Sequence, residues 1–151
     1  MTAYYGTIGR STANRITADR AGRLIVRHGS FALSAALAQN DTIDLLYLPK
    51  RHLLVPNLCA IHYPELDSDA APTGTLDVGF SGGDDDALFD GIAMGGGAAS
   101  YLNIPVAGAT IWGDTVSDSD RLIQAIVKTA VATGVASGTI NYVIAYRPYE
   151  G

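Results

Sequence analysis

The chain of 151 residues predicts an all-β fold, an antiparallel β-sandwich or barrel. Three observations predict it. About eight short apolar runs recur at spacings near ten residues, with turn residues between them. Seventeen glycines punctuate those runs, which favours turns and strands over long helices. Strand patterns do not alternate with long helical ones, so a parallel α/β sheet is disfavoured. A single domain follows from the length, which suffices to bury roughly two-thirds of the unfolded surface.

Residues 1–20 carry no sustained periodicity and are rich in Gly, Ser, Thr and Arg, so they read as an extended N-terminal arm. The domain proper is 21–151. Its first runs, Arg23–Arg27 and Phe31–Ala38, read as two strands joined by a turn at His28-Gly29-Ser30. The Ala-rich second run also has helical propensity, but Ser34 and the Asn40-Asp41 turn limit its length. Thr42–Leu48 alternates as a strand with Ile43, Leu45 and Tyr47 inward, and stops at Pro49. Lys50-Arg51-His52 forms a basic turn before Leu53-Leu54-Val55, and Leu58–Tyr63 follows Pro56, a residue confined to an edge, bulge or break.

The strand signal is clearest in Thr75–Phe80, where Leu76, Val78 and Phe80 lie on one side and Thr75, Asp77 and Gly79 on the other. Ser81-Gly82-Gly83 then breaks the chain. Asp84-Asp85-Asp86 ahead of Ala87-Leu88-Phe89 reads as an N-cap and first turn of one short helix near 84–92, because free backbone N–H groups favour negative charge there. After Gly95-Gly96-Gly97 come Tyr101–Ile104 and a strand at Val106–Trp112. In the segment Arg121–Val131, apolar pairs recur at helical spacing after an Asp/Ser cap, whereas its β-branched content argues for a strand. Thr139–Tyr146 closes the chain with Ile140, Tyr142, Ile144 and Tyr146 on one face.

Charged residues make up only 17% of the chain against 48% hydrophobic, low beside the roughly 25% charged of typical soluble domains. Such a surface is suited to facing other protein. The formal charge of −5 is unevenly divided: residues 1–30 carry +4, from Arg10, Arg15, Arg20, Arg23 and Arg27 against Asp19, and residues 31–151 carry −9. A basic arm on an acidic body points to an acidic protein partner, a neighbouring copy or a different chain. Nucleic acid is disfavoured because the body repels phosphate and no aromatics interleave with the arginines. No apolar stretch reaches the roughly 18 residues of a membrane span, so no membrane partner is expected. Cys59, the single cysteine, sits in an apolar run and reads as a small buried hydrophobe in a protein made in a reducing cytoplasm.

Candidate chemistry is sparse. Asp84, Asp85, Asp86 and Asp90 lack the alternating register of a calcium loop, and helix capping explains them. His28, His52 and His62 stand apart from any cysteine or second histidine at ligand spacing. The glycine run is not followed by the Gly-Lys-Ser/Thr of a phosphate loop. The aspartate pairs Asp67/Asp69 and Asp118/Asp120 fall in turns, where aspartate is expected. The residues therefore imply no catalytic site, metal or cofactor. The arm offers the partner-binding candidates: Tyr4, Tyr5, Ile8, Arg10, Arg15 and Arg20.

The order of motifs is nevertheless distinctive. An apolar run, Asn40-Asp41-Thr42-Ile43-Asp44-Leu45, then Leu48-Pro49, a strand, Leu66-Asp67-Ser68, Ala71-Pro72 and Thr75-Leu76-Asp77-Val78-Gly79 resembles small structural proteins of tailed bacteriophages encoded near the major capsid protein. The resemblance covers roughly residues 30–92 and a closing strand like Ile140–Tyr146. It implies a head decoration, or cement, protein with a jelly-roll-like sandwich, bound between major capsid protein subunits on the exterior of an icosahedral shell and without catalytic residues. It also implies that Leu122–Val131 is a strand. A homo-oligomer is expected, with a trimer favoured over a dimer because shell lattices offer threefold positions. A second reading is a head-fibre or tail module that recognises a glycan or host surface through loops 81–100 and 113–120, with Tyr101 and Trp112 available for stacking.

Overall fold

A computed structural model describes residues 3–5, 24–55, 58–95, 100–103 and 117–149. Ten strands run through them: β1 (Ala3–Tyr5), β2 (Ile25–Ala32), β3 (Thr42–Leu48), β4 (His52–Leu54), β5 (Ala60–Tyr63), β6 (Thr75–Phe80), β7 (Phe89–Ala93), β8 (Ser100–Asn103), β9 (Arg121–Thr129) and β10 (Thr139–Pro148). β1 and β4 have three residues each; the other eight are the strands of the sandwich. One sheet has the order β1-β3-β9-β6-β7 and the other β2-β10-β5-β8, with β4 paired to the end of β10. The eight longer strands thus enter the two sheets in jelly-roll order, closing two Greek keys. Every pair is antiparallel except β1 on β3, which is parallel.

Between the sheets lies one core. The alternation read at 75–80 and 139–146 holds: Leu76, Val78 and Phe80, and Ile140, Tyr142, Ile144 and Tyr146, are all buried. Cys59 is buried too, as expected, with its Sγ 3.3 Å from the Val55 carbonyl oxygen. β9 is a strand, in line with the resemblance and against the local helical spacing. It is central in its sheet, between β3 and β6, and buries Ile123, Gln124, Ala125 and Val127, so ladder hydrogen bonds on both sides outweigh propensity.

Four local expectations are corrected. Among the described residues there is no α-helix, and 84–92 forms turns followed by β7. The Asp84 carbonyl accepts the Phe80 N–H at 2.7 Å and the Leu88 N–H reaches the Val78 carbonyl at 2.8 Å. The aspartates therefore fold back on β6, and Leu88 and Phe89 bury; a residue that caps helices is equally a turn former. Next, His28-Gly29-Ser30 is no turn. β2 runs straight through it, paired with β10 from Thr139↔Ala32 to Tyr146↔Ile25. A Cβ at Gly29 would stand 2.4 Å from the ring of Tyr142, its cross-strand partner, so the glycine makes room for the tyrosine. Residues 33–38, expected as strand, are irregular beyond the end of β2. Finally, Tyr47 faces out, 42% exposed, because a bulge between Asp44 and Leu46 rephases β3 and buries Leu46 and Leu48 instead.

Two side chains tie the architecture together. The Tyr142 hydroxyl on β10 crosses the core to donate to the Leu45 carbonyl of β3 at 2.8 Å, linking the sheets. Asp67, fully buried, lies in the loop between β5 and β6. Its carboxylate accepts five backbone N–H groups: Asp69 (3.3 Å) and Thr133 (2.9 Å) on Oδ1, and Thr73 (3.0 Å), Gly74 (3.1 Å) and Ala132 (3.0 Å) on Oδ2. The Asp67 N–H donates to the Met94 carbonyl at 3.0 Å. One residue therefore joins the β5–β6 loop, the end of β7 and the chain leaving β9. Burial alone raises its carboxyl pKa, but the N–H groups of Thr133, Ala132, Gly74 and Asp69 outweigh burial and hold it far below the ordinary carboxylate range.

Asp67→Asn keeps the volume but turns an amide donor toward N–H donors, and we expect a clearly lower Tm at pH 7. Because the folded carboxyl is depressed, its stabilisation is complete above the ordinary aspartate value near 3.9 and is lost as pH falls through the lower folded value. The gap between wild type and variant in thermal melts should therefore narrow from pH 7 to pH 3, and a gap independent of pH would refute the assignment. Tyr142→Phe should cost about 1–3 kcal/mol in urea unfolding by leaving the Leu45 carbonyl unpaired.

Candidate interaction surfaces

The outer face of the β2-β10-β5-β8 sheet follows from strand alternation. On β2, Ile25 and Phe31 pack toward the core while Leu24, Val26 and His28 are exposed. The ladder sets Val26 beside Ala145, places Val143 between His28 and Ala60, and places Asn141 between Ser30 and His62. Among the described residues no aspartate or glutamate stands on this face; the outward row of β10 ends in one cation, the exposed Arg147, near Leu24. Leu24 and Val26 are each 49% exposed. Next to them His28, Ala60, His62, Asn141 and Val143 line an open depression of about 170 Å³. A sheet face without carboxylates and with exposed aliphatic groups suits contact with a protein surface. The sequence contains the signal, since Leu24 and Val26 alternate with Ile25 and Arg27. Which set faced out was decided only by the sheet opposite.

At the far margin of the other sheet lies the acidic turn. Lys128 Nζ contacts Asp85 Oδ2 at 2.7 Å, and this hydrogen bond to Asp85 raises the lysine pKa. Asp84 shares a side-chain hydrogen bond with Asp86, which pushes its carboxyl above the ordinary value. Asp77, buried on β6, accepts the Gly91 N–H at 2.8 Å. Burial raises its carboxyl pKa, with that hydrogen bond acting the other way. Gly91 has a φ of +65°, the left-handed conformation that glycine adopts without strain. The turn is thus held by strand geometry and one lysine. Among the described residues no group of three or more His, Cys, Asp and Glu side chains is placed to hold a metal ion.

The remaining candidates fall as follows. His52 Nδ1 lies 2.8 Å from the Lys50 carbonyl oxygen, and its ring meets Tyr146 edge-on at 5.5 Å, away from His28 and His62. Burial pushes the Cys59 thiol pKa up, opposite to what a nucleophilic thiolate requires. Asp67 and Asp69, read as turn aspartates, include the main hydrogen-bond acceptor of the fold. Asp118 meets Arg51 at 3.8 Å on the exposed surface, a pair worth little to stability. Of the arm, Tyr4 and Tyr5 belong to β1, in register with Ile43 and Asp44 of β3. Ile8, Arg10, Arg15 and Arg20 lie outside the described residues, as do Trp112 and the strand expected at 106–112. Among the described residues no helix is long and apolar enough to cross a membrane.

No protein-family model and no curated protein sequence matches the chain. Among solved structures, a chain in the capsid of Ralstonia phage GP4 superposes with a TM-score of 0.80 at 25% identity, covering 99% of this chain and 100% of that one. A chain in the capsid asymmetric unit of cyanophage Pam1 gives a TM-score of 0.65 at 21% identity, covering 91% of this chain and 96% of that one. The Pam1 likeness is one of fold alone, whereas the GP4 likeness adds sequence identity over nearly the whole length of both chains. The protein is all-β and is similar, along its whole length, to a chain of a phage capsid.

Proposed function

We propose that this protein is a structural component of a tailed-phage virion that decorates and cements the exterior of an icosahedral capsid, binding between major capsid protein subunits as a homo-oligomer, with a trimer favoured over a dimer. The observation that carries the reading is the match, end to end, to a chain of the GP4 capsid. The outer face of β2, β10 and β5 supports it: among the described residues it has no carboxylate and a single cation, Arg147, at the end of β10, and a lattice-bound protein needs a broad contact surface and no reaction centre. Tyr4, Tyr5, Ile8, Arg10, Arg15 and Arg20 extend that contact toward an acidic neighbour, consistent with the +4 of residues 1–30. Repeated weak contacts suffice on a lattice, since each linked site raises the effective concentration at the next.

The test is add-back of purified protein to capsids that lack it, with occupancy read by cryo-electron microscopy and shell strength by heat-induced DNA release. Wild type should occupy regular exterior positions and raise the release temperature. Leu24→Asp with Val26→Asp, which alters exposed positions, should lower occupancy at least about tenfold, as expected for charge buried in a contact. Arg10→Ser, Arg15→Ser and Arg20→Ser together should weaken binding most at low salt. Bare capsids at saturating protein would sink the reading.

A further inference from the structure

We propose that β1 is exchanged between copies: in the oligomer, Ala3–Tyr5 of one subunit adds to the β3 edge of its neighbour. This rests on the homo-oligomer reading above and states how that oligomer is built. The first observation is the pairing itself. Among the described strands β1 alone pairs in parallel, held in the register Ala3↔Thr42, Tyr4↔Ile43 and Tyr5↔Asp44. Beneath it Thr42, Ile43 and Asp44 are all buried. The β3 edge is thus a built acceptor for an added strand, and backbone hydrogen bonds of this kind do not depend on which chain supplies it.

The second observation is the connection that follows. Residues 6–24 join β1 to β2. Tyr142 links β10 to β3 across the core, so β2, next to β10, and β1, next to β3, lie along the same margin of the sandwich. The distance between sheets there is about 10 Å. Roughly 20 residues span up to about 60 Å when extended, more than the roughly 20 Å width of a five-stranded sheet. The connection is long enough to deliver β1 to an adjacent copy, and loop length adds little entropic cost.

The third is charge. Between β1 and β2 lie Arg10, Arg15, Arg20 and Arg23 against Asp19, while residues 31–151 carry −9. In an exchanged oligomer that positive charge would act between chains as well as within one, adding attraction that holds the subunits together. The ladder bonds are the same in either arrangement, so the attraction between chains is what exchange adds.

Two single-cysteine chains test this, Ala3→Cys and Thr42→Cys, each also carrying Cys59→Ala. Co-expressed and oxidised, they should give a mixed disulfide dimer at twice the 15.8 kDa of the chain. A chain carrying both cysteines should give mostly oligomers linked from chain to chain. Internal disulfides in that chain without mixed dimers, or no disulfide in either experiment, would overturn the exchange. Tyr5→Cys with Asp44→Cys reads the same register if Thr42→Cys does not fold. Light scattering on the wild type separates the two levels: a monomeric mass sinks the oligomer itself, whereas an oligomer with internal disulfides sinks the exchange alone.

Discussion

One buried carboxylate organises the loops at one end of this sandwich. A charged group with no solvent is tolerable only when its lone pairs are filled, and Asp67 fills them with backbone N–H groups from two stretches distant in sequence. Its own backbone reaches a third at Met94. The chain entering β6, the chain leaving β7 and the chain leaving β9 are thereby fixed relative to one another. Jelly-roll connections pass from sheet to sheet and have few ladder partners of their own. A single residue, accepting from two of them through its carboxylate and donating to the third through its N–H, substitutes for a small sheet.

The two sheets solve the complementary problem of staying in register with each other. Tyr142 spans the gap with a hydrogen bond to the Leu45 carbonyl, and it fits because Gly29, its neighbour on β2, has no side chain. The bulge between Asp44 and Leu46 lies where that bond lands. It places Leu45, Leu46 and Leu48 in the core and leaves Tyr47 outside. A conserved volume between sheets is reached here by pairing one large residue with one absent side chain.

With the inner faces satisfied in this way, function falls to the outer surface. The low charge content reads differently once the strands are placed. Apart from Asp44 and Asp77, buried in β3 and β6, the aspartates gather at the 84–90 turn and in loops, while the face made by Leu24, Val26, His28, Val143 and Asn141 is free of carboxylates and ends in one cation, Arg147. Such segregation separates a region that stays solvated from one suited to being covered. The chains of two phage capsids to which the protein is similar share its fold.

Local alternation determined the fold class and the clearest strands, because a period of two depends only on neighbouring residues: Leu76, Val78 and Phe80, and Ile140, Tyr142, Ile144 and Tyr146, point inward as their spacing dictates. The turn at Asn40-Asp41 was equally legible, Asn40 taking the left-handed conformation with a φ of 69°. Other features were decided by partners far along the chain. β9 reads locally as a helix and is a strand because β3 and β6 flank it. Asp84–Asp86 read as a helix cap and form a turn because β6 claims their backbone. Gly29 reads as a turn and is mid-strand because Tyr142 lies against it, and Asp67 reads as an ordinary loop aspartate until the N–H groups of residues 132 and 133 reach it. Sequence spacing encodes what a residue does to its neighbours; only the tertiary structure shows which distant backbone completes its hydrogen bonds.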